Sequence, residues 1–166
     1  MSTDVIATPA RGTGSRWHAV RRDWIRYLVP VGRLLFAGIF LVSALGHFSN
    51  ETFAYAASQG VPLARVAVPF TGFLAFFGGM SVALGYRTRI GAWLLVAFLV
   101  PVTLMMHRFW SAADPMMVEM QRLHFLKNVS MLGGALLLAY FGAGPFSLDA
   151  VRKGPSVPQG IGPHRY

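Results

Sequence analysis

His107, His124 and Lys127 are the side chains of this sequence best suited to proton and anion chemistry. Imidazole changes charge near neutral pH. An ammonium group can hold a carbonyl or an oxyanion. Lys127 and Asn128 stand near the front of "LHFLKNVSMLGGALLLAYFG", a run that otherwise reads as a membrane-spanning helix. A permanent charge inside such a run is rare and marks a pathway or a site by default. Gln121, His124, Lys127 or Asn128, and Met131 follow i, i+3, i+4 spacing, so they share one helix face. Glu51 is the expected acidic partner of Lys127, because it closely follows the span that ends in His47.

Together His47, Glu51, His107, Arg108, Gln121, His124, Lys127 and Asn128 form a polar cup at one end of the spans, and three readings of it compete. In the first, Lys127 snorkels to water, the histidines are boundary residues and Asn128 bonds a neighbouring helix. In the second, the cup binds a quinone or an anion. His107 and His124 would then exchange protons, and Lys127 would fix a carbonyl or anionic oxygen. The third is a metal or haem site, since imidazole suits zinc, copper and iron. No HxxxH pair lies on a single helix, so that reading depends wholly on tertiary convergence.

The elements that must position these residues follow from composition. Of the 166 residues, 54% are apolar and 13% charged, against ~25% charged in soluble domains. Hydrocarbon ~30 Å thick needs roughly 20 apolar residues per helix. Four segments qualify, about Val29 to Phe48, Val66 to Leu84, Ile90 to Met106 and Leu123 to Phe141. None alternates polar and apolar as a barrel strand does. The fold class is therefore all-α, an integral membrane four-helix bundle with the lipid bilayer as its first partner.

Three regions are expected: a cytoplasmic tail with a basic interfacial helix over 1–28, a four-span domain over 29–148, and a disordered cytoplasmic tail over 149–166. The interfacial helix is read from Trp17, Val20, Trp24 and Leu28 at helical spacing, with Arg21, Arg22 and Arg26 off that face. A net charge of +9 could suggest nucleic acid, but its distribution excludes that reading. Arginines precede the first span, Arg87 and Arg89 fill the second connection, and Arg152 and Lys153 follow the fourth span. Lys/Arg excess marks the cytoplasmic side, so both termini are expected inside and the cup outside. With no cysteine, the chain can form no disulfide or thiol redox centre of its own.

Within the spans, Ala75, Gly79 and Ala83 make a small-residue packing stripe. Pro69 and Pro101 are candidate bends, and Arg33 is close enough to its helix end to snorkel. A short amphipathic helix around Phe53 and Tyr55 is expected in the first connection. The last helix is expected to start after Pro115 and run on into the fourth span.

The blocks "GRLLFAGIFLVSALGHF", "YAASQGVP", "FFGGMSVALGYRTRIGAWLLVAFLV" and "KNVSMLGGALLLAYFGAGPFSLD" occur in that order. In this the chain resembles the DoxX family over roughly Val31 to Asp149. The resemblance implies a four-helix protein of the bacterial inner membrane. It also implies the membrane subunit of a respiratory or stress-related oxidoreductase that holds quinone or a small reductant at the cup, with electrons from a partner subunit or the bound substrate. The alternative is a non-enzymatic membrane scaffold or small-solute permease. Lys127 and Asn128 match that family's "KN" pair, and His107 matches a histidine at the end of its third span. Ala75 stands where many members carry an acid, and His47 where the first helix commonly ends in lysine.

Overall fold

Hydrocarbon offers a peptide group no hydrogen bond, so an apolar run in lipid must satisfy its own backbone. The computed structural model describes residues 24–153, and every regular element among them is helical. In chain order they are α1 (Ile25–Gly46), the short α2 (Asn50–Ser58), α3 (Ala64–Leu84), α4 (Thr88–Met106), a 3-10 turn (Phe109–Ser111), α5 (Pro115–Phe141) and the short α6 (Leu148–Lys153). The four long helices α1, α3, α4 and α5 are each long and apolar enough to cross a bilayer, and the protein is a multi-pass membrane bundle. Antiparallel order gives the bundle an arginine end, with Arg87, Arg89 and Arg152, and a histidine end, with His47, His107 and His124.

Local chemistry sets the helix boundaries. Ser49 caps α2 by accepting the Thr52 N–H at 3.2 Å. Asp114 caps α5 by accepting the Met117 N–H at 2.9 Å, and Pro115 follows at the first helical position. As expected, α5 then runs unbroken into the fourth span, and α2 lies in the first connection. Pro69 and Pro101 lie inside α3 and α4, which continue through them.

Packing between neighbours follows the small residues. α1 packs on α3, α3 on α4 and α4 on α5. A Cβ added to Gly79 would stand 3.2 Å from the Leu41 side chain, so the predicted stripe faces α1. Gly78 and Gly91 bring α3 and α4 together backbone to backbone. A Cβ on Gly78 would lie 2.9 Å from the Gly91 carbonyl oxygen. Ala37, Phe40, Leu95, Leu99 and Ala135 fill the centre and are almost wholly buried. α1 and α5 are not a closely packed pair. Between them the Phe36 ring lies over Gly134, where an added Cβ would be 2.7 Å from it.

At the arginine end the chain after α5 folds back under the bundle. Gly85 closes the α3–α4 turn with φ 66°, and Gly142 and Gly144 reverse the chain with φ 80° and 67°. The Asp149 carboxylate accepts the Arg87 N–H at 2.7 Å and the Thr88 N–H at 2.9 Å, capping α4 from 61 residues away. Its own N–H donates to the Gly85 carbonyl at 2.8 Å. Arg33 is 4% exposed; it donates to the carbonyl of Ala143 and, at 2.7 Å, to that of Phe146.

Two expectations are corrected here, and a third falls mostly outside the described residues. Arg33 does not snorkel, because two folded-back carbonyls meet it inside the protein. The tail expected to be disordered from residue 149 is helical through Lys153, because Asp149 is tied to the α3–α4 turn; residues 154–166 lie outside the described ones. The basic interfacial helix expected over 1–28 lies mostly outside them too, and its described part from Ile25 is already the first turn of α1. Asp149→Ala should leave two N–H groups at the start of α4 without an acceptor, at a cost of about 1–2 kcal/mol. A lowered thermal unfolding midpoint in detergent would show it, with the exposed Val151→Ala as the unshifted control.

Candidate functional site

At the histidine end, the close of α4 and the opening turns of α5 run side by side. The rings of His107 and His124 stack with centroids 5.2 Å apart and 30° between planes. His107 Nδ1 donates to Gln121 Oε1 at 2.9 Å, since an amide oxygen can only accept. Gln121 Nε2 donates in turn to the Tyr55 hydroxyl at 3.3 Å. Lys127 Nζ donates to His124 Nδ1 at 3.4 Å, a long contact. One chain of polar groups therefore joins α2, α4 and α5. Arg108 adds a clamp, donating from Nη2 to the Gln59 carbonyl at 2.6 Å.

Beside this network lies a cavity of about 420 Å³ walled by all four spans. The size falls in the ~300–1,000 Å³ range of small-ligand sites. Its walls are mostly apolar, with Val68, Pro101, Val102, Met105 and Met131 among them, and Phe40 and Phe98 are its deepest aromatic residues. His47, His107, Lys127 and Asn128 also line it. Among the described residues no acid lines it, and Lys127 is its one fixed cation.

Asn128 is the most telling of these residues. It is only 4% exposed, yet none of the described residues exchanges a hydrogen bond with its carboxamide. Among the described residues the fully enclosed side-chain atoms without a partner are Arg33 Nε, Thr88 Oγ1 and Arg108 Nε. The Asn128 amide therefore reaches accessible space, which here is the cavity it lines. Lys127 is a second anomaly. At about 1.5 Å rise per residue it sits about 21 Å along α5 from Phe141, still at hydrocarbon depth. Among the described residues no carboxylate pairs with it.

The sequence-based set divides accordingly. His107, Gln121, His124 and Lys127 come together as expected from helix spacing, with Asn128 one turn deeper. His47 lines another wall, 5.6 Å from the Phe98 ring, with Nδ1 donating to the Ser43 carbonyl at 2.8 Å. Arg108 is turned to the Gln59 carbonyl rather than into the cavity. The expected pairing of Glu51 with Lys127 is not formed, because Glu51 lies in the first turn of α2, exposed, where it complements the helix dipole. The imidazoles do not converge into a metal-binding group; among the described residues no three His, Cys, Asp or Glu do. Sequence reasoning missed Tyr55, which it read only as part of an interfacial helix. It also missed Ser43, whose position one turn before His47 on the same helix face was the available signal.

Fold and site define a class: a four-span α-helical membrane protein with a one-ended cavity and a polar collar. The chain belongs to the SURF4 family, whose model matches residues 65–154. It is similar to the inner membrane protein YqjF of Escherichia coli K12, 29% identical over 123 residues that cover 73% of this chain and 88% of that protein. Inner membrane protein YphA of the same organism is 29% identical over 128 residues, covering 74% and 88%. The ER-derived vesicles protein ERV29 of Saccharomyces cerevisiae is 29% identical over 84 residues, covering 51% of this chain and 27% of the yeast protein. No solved structure matches the chain.

These matches overturn the resemblance to DoxX and, with it, the oxidoreductase-subunit role that it implied. The physical reason lies in the motifs. The paired glycines, the "GP" and the "SLD" serve close helix approach and the cap on α4, which any four-span bundle can use. For the collar itself, Gln121→Leu should strand the His107 Nδ1 proton and the Tyr55 hydroxyl together. A loss of about 1–3 kcal/mol is expected, measured as a lower unfolding midpoint, while the exposed Leu123→Ala leaves it unchanged.

Proposed function

We propose that this protein is a membrane-embedded binding protein that holds an amphiphilic guest in the cavity at its histidine end. The observation that carries this reading is the unpartnered Asn128 carboxamide facing a mostly apolar cavity beside an unpaired Lys127. A guest with an apolar body would displace water from Val102, Met105 and Met131, a gain roughly proportional to the apolar area covered. Its polar head would meet Asn128 and Lys127, which have no stronger partner to give up. The His107–Gln121–Tyr55 chain makes the collar stiff before binding, so less ordering is required when the guest arrives. Ala37, Leu95 and Ala135 pack beneath the cavity without gaps to solvent, which suits holding a guest rather than conducting one across the bilayer.

The site belongs in the cytoplasmic membrane of a bacterium, with the arginine end and both termini inside. Support comes from the relatives named as inner membrane proteins and from the one-sided basic charge. The chain has no cysteine, so single thiols report orientation cleanly. A membrane-impermeant maleimide added to intact cells should label Ser111→Cys at the histidine end and leave Val151→Cys unlabelled until lysis. The reverse pattern would invert the topology.

Occupancy is tested by native mass spectrometry of protein purified from its own membranes. The wild type should carry a small-molecule adduct that Val102→Trp, which fills the cavity, and Asn128→Leu, which conserves volume, both lose. Ile90→Trp on the lipid-facing surface should keep it. Identical adducts on all four proteins would show that the cavity is not where the guest sits.

A further inference from the structure

The walls of the cavity specify the chemistry of a guest as well as room for one. Building on the binding role proposed for this cavity, we infer that the guest is a single-chain amphiphile with an anionic head, and that it enters from the bilayer through the seam between α1 and α5. Charge comes first. Among the described residues that line it, the cavity has one fixed cation, Lys127, and no acid. A neutral or cationic head would leave that ammonium unpaired at hydrocarbon depth, where an isolated charge is costly. A carboxylate, phosphate or sulfate head would take hydrogen bonds from Lys127 Nζ and from the Asn128 amide nitrogen, a charge-assisted pairing stronger than a neutral one.

The route comes from the packing. α3 meets α4 backbone to backbone at Gly78 and Gly91, and α1 lies against Gly79 of α3 through its Leu41 and Phe40 side chains, two extensively packed pairs. The α1–α5 boundary has no such approach and is spanned by the Phe36 ring over Gly134. Just beyond that ring, toward the histidine end, stand Ile39 and Ser43 of α1 and Lys127 of α5. All three line the cavity and are also exposed on the outer surface of the bundle. Tyr55, Pro62 and Pro101 are likewise both wall and surface. Ile39, Ser43 and Lys127, however, flank the loosely packed α1–α5 boundary, and a mouth there opens sideways at the depth of acyl chains. A chain already dissolved in lipid could slide in without crossing water, and its head would meet Lys127 at the rim.

The experiment uses the full-length protein in detergent and three probes at equal concentration: palmitate, hexadecanol and acetate. Native mass spectrometry should show palmitate retained roughly tenfold better than hexadecanol, and no acetate adduct. Lys127→Met should erase the preference for palmitate while hexadecanol binding persists, and Val102→Trp should remove both long-chain adducts. Equal retention of palmitate and hexadecanol would overturn the anionic head. Acetate binding as strong as palmitate would overturn the amphiphile in favour of a free anion. Long-chain adducts indifferent to Val102→Trp would instead overturn the cavity reading itself, so the two failures are distinct.

Route is read separately. Phe36→Cys with Gly134→Cys removes the ring that an added Cβ would strike and allows a short bis-methanethiosulfonate cross-linker, which forms a reducible disulfide at each thiol, to bridge the seam. With the bridge complete, palmitate uptake should slow at least tenfold, by roughly the barrier of one blocked opening motion, and recover on reduction. Uptake unchanged by a complete bridge would overturn the lateral route and place entry at the histidine end.

Discussion

The want of hydrogen-bonding partners in hydrocarbon governs the whole molecule. Any polar group carried into the bilayer must bring its partner along, and the two ends of this bundle meet that demand in opposite ways. At the arginine end, Asp149 caps α4, and two nitrogens of Arg33 reach the Ala143 and Phe146 carbonyls, though its Nε is left without one. Those groups are committed to holding α1, the α3–α4 turn and the returning chain in register. At the histidine end, the His107–Gln121–Tyr55 chain is satisfied, but Asn128 and Lys127 keep their capacity free. The arginine end commits most of its polar groups, although Thr88 Oγ1 also lacks a partner there, whereas the histidine end leaves an amide and an ammonium facing its cavity.

Arg33 and Lys127 make the contrast sharp, because in sequence they pose the same question: a cation within an apolar run. Arg33 presents a fork of donors in fixed geometry, and a backbone reversal built on Gly142 and Gly144 delivers two carbonyls to it. Lys127 presents a point charge and makes one long donor contact to a neighbouring imidazole. Nothing in local spacing separates the two cases. The partner of Arg33 lies 110 residues away, past three other spans.

That distance explains what could be read from the sequence. The four spans, the short α2 and the start of α5 after Asp114 and Pro115 follow from hydropathy and capping, which act over a few residues. The meeting of His107 with His124 followed from antiparallel order alone. Long-range polar contacts did not. Tyr55 reaches Gln121 across 66 residues and Asp149 reaches Arg87 across 62, and neither pairing leaves a periodic trace. The guess that Glu51 would answer Lys127 failed because a nearby helix start satisfied the acid more cheaply. The family resemblance failed for a related reason: glycine pairs and helix-ending turns record the demands of bundle packing, which several four-span families share.

The cavity, finally, is a consequence of how small residues are distributed rather than of any one polar residue. Gly72 lets α3 close on the end of α1, with an added Cβ only 2.7 Å from the His47 Cβ, while Gly78, Gly79 and Gly91 close the next contacts. At the α1–α3 and α3–α4 boundaries glycine therefore lets the helices close, and α4 packs on α5 as extensively without it. On the fourth boundary, α1 offers Phe36, Ile39 and Ser43 rather than glycine or alanine at each step, and α5 answers with a single Gly134 under the Phe36 ring. An aromatic ring propping apart two helices at mid-depth forces them to diverge on one side of it. Above the prop the interval is too wide for the side chains present to fill. A void lined by Met and Val has no dispersion partners on its open face and invites an apolar occupant. The same prop that opens the space leaves it open toward lipid, so the chamber and its sideways entrance come from one packing decision.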